Sequence, residues 1–174
     1  MEKGKKLCGD EWLSLMKMKC GYTYMHEERC DGKIVAIFVY TKKDGYIDKI
    51  LGRYEETPPH DDGIALASIT GGVEKGQETI DTALMELKEE AGITAEEKDL
   101  VYLGDVKPSK AADTVISLYA IDMTGKEDTM EDPKGDGSEG EKEAYVEWID
   151  VLEMINAKDP LLHTMFLRLT NGSV

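Results

Sequence analysis

The chain has 174 residues, 33% of them charged, and its 36 acidic against 21 basic side chains give a formal net charge of −15. That length suits one domain able to fold without disulfides or metal, and the acidity argues against a grip on extended nucleic-acid backbone, which needs clustered lysine and arginine. No apolar run approaches a membrane span and the lysines of residues 1–12 lead into no apolar segment, so a cytoplasmic protein without membrane contact is expected.

Residues 11–30 alternate poorly, and Trp12, Leu13, Leu15, Met16 and Met18 suit either a strand or a short helix. Cys8, Cys20 and Cys30 are odd in number and spaced unlike any zinc motif, which predicts reduced thiols without assigned chemistry. From Lys33 the segment KIVAIFVY is rich in β-branched and aromatic residues, Asp44-Gly45 is a hairpin turn, and YIDKILGRY returns antiparallel. The run EETPPHDDG cannot continue a ladder and is expected as a surface loop, with His60, Asp61 and Asp62 read as a polar turn rather than a metal site. IALASIT reads as one buried strand leading into a glycine-rich turn.

Residues 71–93, GGVEKGQETIDTALMELKEEAGI, carry the chemistry. On a helix, Ile80, Ala83, Leu84, Leu87 and Ala91 form one apolar stripe, while Glu86, Glu89 and Glu90, at i, i+3 and i+4, share a separate patch. Like charges so spaced destabilise a helix unless water or a cation intervenes, and a hard divalent ion, bound through oxygen, is the strongest remedy. In so acidic a chain a solvated face is the ordinary reading. The glycines tip the balance: Gly71, Gly72 and Gly76 allow a sharp turn before the helix, and Gly92 is placed to close it in a left-handed cap.

Downstream, DLVYLGDV and TVISLYAIDM read as strands joined by KPSKAAD. Residues 124–144 hold eight acids, three lysines and four glycines, and are expected to form an acidic mobile loop. YVEWID is a further strand, Asp150 is placed to cap a short helix VLEMINAK, and Asp159-Pro160 opens a terminal helix LLHTMFLRL, on which His163 is read as packing. Strands around a central helix with another helix at the end predict an α/β/α sandwich about a mixed sheet.

The pattern of residues 71–93 resembles the Nudix box: a glycine, five residues, a glutamate, seven residues, then Arg-Glu-apolar-x-Glu-Glu-x-Gly-apolar. Gly71, Glu86, Leu87, Glu89, Glu90, Gly92 and Ile93 match, whereas Gln77 stands in place of glutamate and Met85 in place of arginine. The resemblance implies the Nudix-type sandwich over residues 1–174, with residues 1–30 as an N-terminal strand extension. It also implies hydrolysis of a phosphoanhydride with Mg²⁺, or Mn²⁺ as the alternative, held by Glu86, Glu89 and Glu90. The losses at 77 and 85 leave these carboxylates in place and keep open a slow enzyme or a noncatalytic nucleotide sensor.

Pro108, fifteen residues after Ile93, and Arg53 before the proline-containing loop resemble features of the family's ADP-ribose pyrophosphatases. This branch implies a nucleoside diphosphate derivative such as ADP-ribose as the small-molecule substrate; nucleoside triphosphates, dinucleoside polyphosphates and capped RNA ends are the alternatives. It also implies contacts to the substrate from Arg53, Gly71 and Gly72, a homodimer through the N-terminal strands, and a general base among Glu139, Glu141 and Glu143, with Glu143 slightly favoured. Glu86 and Glu89 are the competing bases, as in other branches.

Overall fold

The run KIVAIFVYTKK forms the fourth strand of the chain and is buried on both faces. The computed structural model describes residues 4–57, 59, 63–133 and 143–172. In chain order its elements are β1 (Lys5–Gly9), β2 (Leu13–Lys17), β3 (Thr23–Glu27), β4 (Lys33–Lys43), β5 (Tyr46–Glu56), β6 (Ile64–Ala67), β7 (Ile69–Gly72), α1 (Thr79–Ala91), β8 (Leu100–Val106), β9 (Val115–Asp122), β10 (Tyr145–Asp150) and α2 (Pro160–Thr170).

Seven strands make one sheet, in the order β10-β5-β4-β9-β8 with β6 paired to β5 and β7 to β4. The β4–β9 pair is parallel and the others are antiparallel, so the sheet is mixed. The period-two alternation of a strand sends Val35, Ile37 and Val39 to one face and Ala36, Phe38 and Tyr40 to the other. The first set joins Ala83, Leu87 and Ala91 of α1; the second joins Leu162 and Met165 of α2. Two helices on opposite faces of a mixed sheet are the expected α/β/α sandwich.

The sheet is forked. Near the Asp44-Gly45 turn β4 and β5 pair directly, but farther along they part, with Arg53 opposite Ala67 of β6 and Ile37 opposite Ile69 of β7. The single strand expected over residues 64–70 is therefore two, broken at Ser68. The cause lies far away in sequence: the Ser68 backbone N–H and hydroxyl both donate to Asp159 Oδ2, at 2.7 and 2.6 Å. Asp159 Oδ1 meanwhile accepts the Leu161 N–H at 2.8 Å and caps α2 as the sequence suggests. One carboxylate thus ties the fork to the second helix.

Residues 11–30 contribute strands, forming with β1 a separate antiparallel meander, β1-β2-β3. It docks on the connection between β8 and β9. Met25 donates to the Ala111 carbonyl at 2.7 Å, the Asp113 N–H donates to the Met25 carbonyl at 3.2 Å, and the buried His26 ring lies 2.9 Å from Asp113 Oδ2 and 3.4 Å from Asp31 Oδ1. Pro108 lies in this connection, exposed.

Two local expectations need correction. Asp150 accepts the Leu152 N–H at 2.8 Å, but the segment it opens is only a 3-10 turn, Glu153–Asn156. Residues 124–133, expected within an acidic mobile loop, contain a second such turn, Glu127–Thr129. There Met130, the lone large apolar side chain of residues 124–144, packs on the α1-side core, and the Glu131 N–H donates to the Gly92 carbonyl at 2.9 Å. His60, Asp61, Asp62, Glu139 and Glu141 lie outside the described residues.

Candidate active site

β7 brings Gly71 and Gly72 alongside Val35 and Ile34 of β4 and delivers the chain into the turn before α1. Gly76, at φ 94°, takes a backbone conformation that side-chain-bearing residues rarely adopt, which sharpens this turn. The entry to α1 is fixed by side chains. Thr79 and Tyr119 share a hydroxyl–hydroxyl hydrogen bond of 2.6 Å, and the fully buried Thr82 donates to Gln77 Oε1 at 3.1 Å. Gln77 in turn donates through its amide to Glu74 Oε2 at 3.4 Å. The residue standing in place of the box glutamate therefore links the turn to the first turn of the helix. At the other end Gly92 adopts φ 65°, the left-handed cap expected, and the Ile93 N–H reaches the Leu87 carbonyl at 2.9 Å.

Thr82, Ala83, Leu87 and Ala91 face the core, which turns the carboxylates of α1 toward the fork. The Glu86 carboxylate lies directly against the α-carbon of Gly71, in the space a β-carbon would fill. Gly72 has a different neighbour, since a β-carbon there would come within 3.2 Å of the Cys30 side chain. Burial pushes the Cys30 thiol pKa up, and the nearby Glu27 carboxylate raises it further. The two glycines expected to open backbone to substrate are thus packed by a site carboxylate and by a buried, protonated thiol.

Arg53 is 5% exposed, with Nη1 2.5 Å from Glu90 Oε1 and Nε donating to Glu55 Oε2 at 2.9 Å. The guanidinium, expected to contact substrate, bridges β5 and α1. Glu55 was not singled out from sequence, although the period-two rule puts residues 53 and 55 on one face of a strand. Glu89 is partly buried on α1. Glu143 is exposed, two residues before Tyr145, which pairs with Tyr54, so it sits at the same end of β5 as Arg53.

Among the described residues no three His, Cys, Asp or Glu side chains are grouped to hold a metal ion. The donor chemistry nevertheless fits a hard cation. Mg²⁺ commonly takes one or two carboxylates and completes its shell with water and phosphate oxygens. Glu86, seated in its glycine cradle, and Glu90, one helical turn on, supply two carboxylates of that kind.

An acidic helix entered through a glycine turn at the fork of a mixed sheet defines an α/β/α sandwich with its helix carboxylates gathered at the fork. The NUDIX domain model matches residues 32–168, and the chain belongs to this family of pyrophosphohydrolases acting on nucleotide derivatives. A crystal structure of an ADP compounds hydrolase shares the fold at a TM-score of 0.65, with 12% identity over 96% of this chain and 89% of the other. No curated protein sequence matches. Among the described residues no helix is long and apolar enough to cross a membrane.

Proposed function

We propose that the protein hydrolyses the pyrophosphate bond of a nucleoside diphosphate derivative, ADP-ribose being the leading substrate, with Mg²⁺ or Mn²⁺ held by Glu86 and Glu90. The observation that carries this reading is the Glu86 carboxylate packed on Gly71 beside Glu90 at the sheet fork. When bound, the divalent ion neutralises diphosphate charge and lowers the cost of generating a nucleophile from water. The chain's own residues do the positioning. Glu86 is set by β7, Glu90 by Arg53, and Glu89 supports the pair from the same helix face. The proton of the attacking water goes to a carboxylate, for which Glu143 is the candidate in the described residues, with Glu89 as its competitor.

The ADP compounds hydrolase of the same fold and the proline at position 108 support a diphosphate over a triphosphate substrate. We also place the protein in the cytoplasm as a homodimer, one domain with the β1-β2-β3 meander as its extension. Leu13, Leu15 and Met25 on the outer face of that meander are exposed and support the dimer.

The test is a panel of ADP-ribose, other nucleotide sugars, dinucleoside polyphosphates and nucleoside triphosphates, assayed for products with Mg²⁺ and with Mn²⁺. AMP plus ribose 5-phosphate from ADP-ribose, abolished in Glu90→Gln, is the expected result. Preference for triphosphates would move the chain to another substrate class, and tight nucleotide binding without turnover would make it a sensor.

A further inference from the structure

Helix α1 has one cation in its last turn, Lys88, which is exposed and off the arc of Glu86, Glu89 and Glu90; position 85 is a methionine. Yet the Glu90 side chain is only 8% exposed, and a carboxylate so placed needs a partner to remain charged. The partner comes from another element. Arg53 sits on β5 where the ladder is fixed on both sides, opposite Ala67 of β6 and Val146 of β10. Its guanidinium is gripped along two edges, Nε by Glu55 at 2.9 Å and Nη1 by Glu90 at 2.5 Å.

We infer that Arg53 is a positioning residue, held by Glu55 and holding Glu90 in the orientation in which that carboxylate meets a divalent cation. This rests on the reading of Glu86 and Glu90 as the metal-binding pair. A planar guanidinium fixed at two edges dictates both the direction and the torsion of the carboxylate it meets, which a lysine ammonium does not. The charge balance also permits the role. Glu55 and Glu90 together outweigh Arg53 by one negative charge, and Glu86 and Glu89 add two more, so the patch stays attractive to a cation. Partners that orient a ligand in this way typically contribute 10–100-fold in metal affinity.

The full chain is titrated with Mn²⁺ alone, following the free ion by electron paramagnetic resonance, in the wild type, Arg53→Met, Arg53→Lys and Glu55→Gln. Steady-state kinetics on ADP-ribose are recorded alongside. Arg53→Met is expected to weaken Mn²⁺ binding by about 10–100-fold, Arg53→Lys to recover part of it, and Glu55→Gln to weaken it in the same direction. KM for ADP-ribose at saturating Mn²⁺ is expected to stay within about threefold of wild type. Unchanged or tighter Mn²⁺ binding in Arg53→Met overturns the assignment, as does a raised KM with intact metal affinity, which would make Arg53 a substrate contact. Should Arg53→Met not fold, unchanged Mn²⁺ affinity in Glu55→Gln overturns it equally. Absence of Mn²⁺ binding by the wild type is a distinct result, overturning the metal-site reading beneath it.

Discussion

Replacing Gly71 with alanine separates the site from the scaffold. Gly71 is not among the residues with positive φ, so alanine meets no backbone strain there, and removing a glycine from the unfolded chain favours folding by about 0.4–1 kcal/mol. The new methyl group would fall on the Glu86 carboxylate and on its γ-carbon as well, so the whole side chain must turn about its first torsion to clear it. Forcing that side chain off its rotamer costs about 0.5–1.5 kcal/mol, so the two terms nearly cancel and net stability stays within about 1 kcal/mol. For a chain of this size that is a melting shift within about 4 °C. Metal binding has no such compensation, because the displaced group is the proposed ligand, and affinity is expected to fall by about 10–100-fold. Differential scanning fluorimetry and Mn²⁺ titration of Gly71→Ala measure the two quantities side by side. A folded variant with wild-type Mn²⁺ affinity would refute the claim that Gly71 seats a metal ligand.

Other perturbations test the frame around the site. Gly92→Ala places a side chain at φ 65° and drives it into the Glu131 carbonyl. Left-handed strain of about 1–2 kcal/mol, with loss of the Glu131–Gly92 hydrogen bond, predicts about 2–3 kcal/mol of destabilisation by urea denaturation; under 1 kcal/mol would contradict the cap. Asp159→Ala removes the α2 cap and strips Ser68 of its acceptor, with an expected loss of about 2–4 kcal/mol; melting like the wild type would show that the fork does not depend on this carboxylate. The Tyr102 hydroxyl donates to Asp105 Oδ1 at 2.6 Å, and that bond, with burial adding to it, pushes its pKa up from 10.0 to about 12. Because the folded value lies above the unfolded one, this contribution to stability is complete below pH 10 and is lost as pH rises through about 12. Ultraviolet titration should show a late phenolate that disappears in Tyr102→Phe.

The box and the strands around it were legible because they are local. β4 and β5 announce themselves by β-branched runs about an Asp-Gly turn, and α1 by an apolar stripe closed with Gly92. Features set by distant partners were not. Nothing near Ser68 signals a break, since the group that makes it is Asp159, 91 residues away. In the described part of the acidic stretch after β9, residues 124–133, Met130 packs on the core, and one apolar side chain among so many acids is a weak signal in the sequence. Residues 11–30 were ambiguous because β2 and β3 present one face to the protein and leave Leu13, Leu15 and Met25 outward, which blurs the alternation. Arg53 is expected from the sequence to contact substrate, and in the structure it lies between Glu55 and Glu90. Its burial there follows from the packing of α1 on β7 and β4, which brings Glu90 to the guanidinium on β5 and which no spacing along the chain encodes.

The central claim is that Glu86 and Glu90 hold a divalent cation against the diphosphate of a nucleotide derivative. It is tested most directly by phosphorus NMR of a nonhydrolysable ADP-ribose analogue bound to the protein, titrated with Mn²⁺. The account predicts strong paramagnetic broadening of both phosphorus resonances in the wild type, lost when both glutamates are changed to glutamine while the analogue still binds. Equal broadening in the doubly substituted protein, or none in the wild type with the analogue bound, would contradict it.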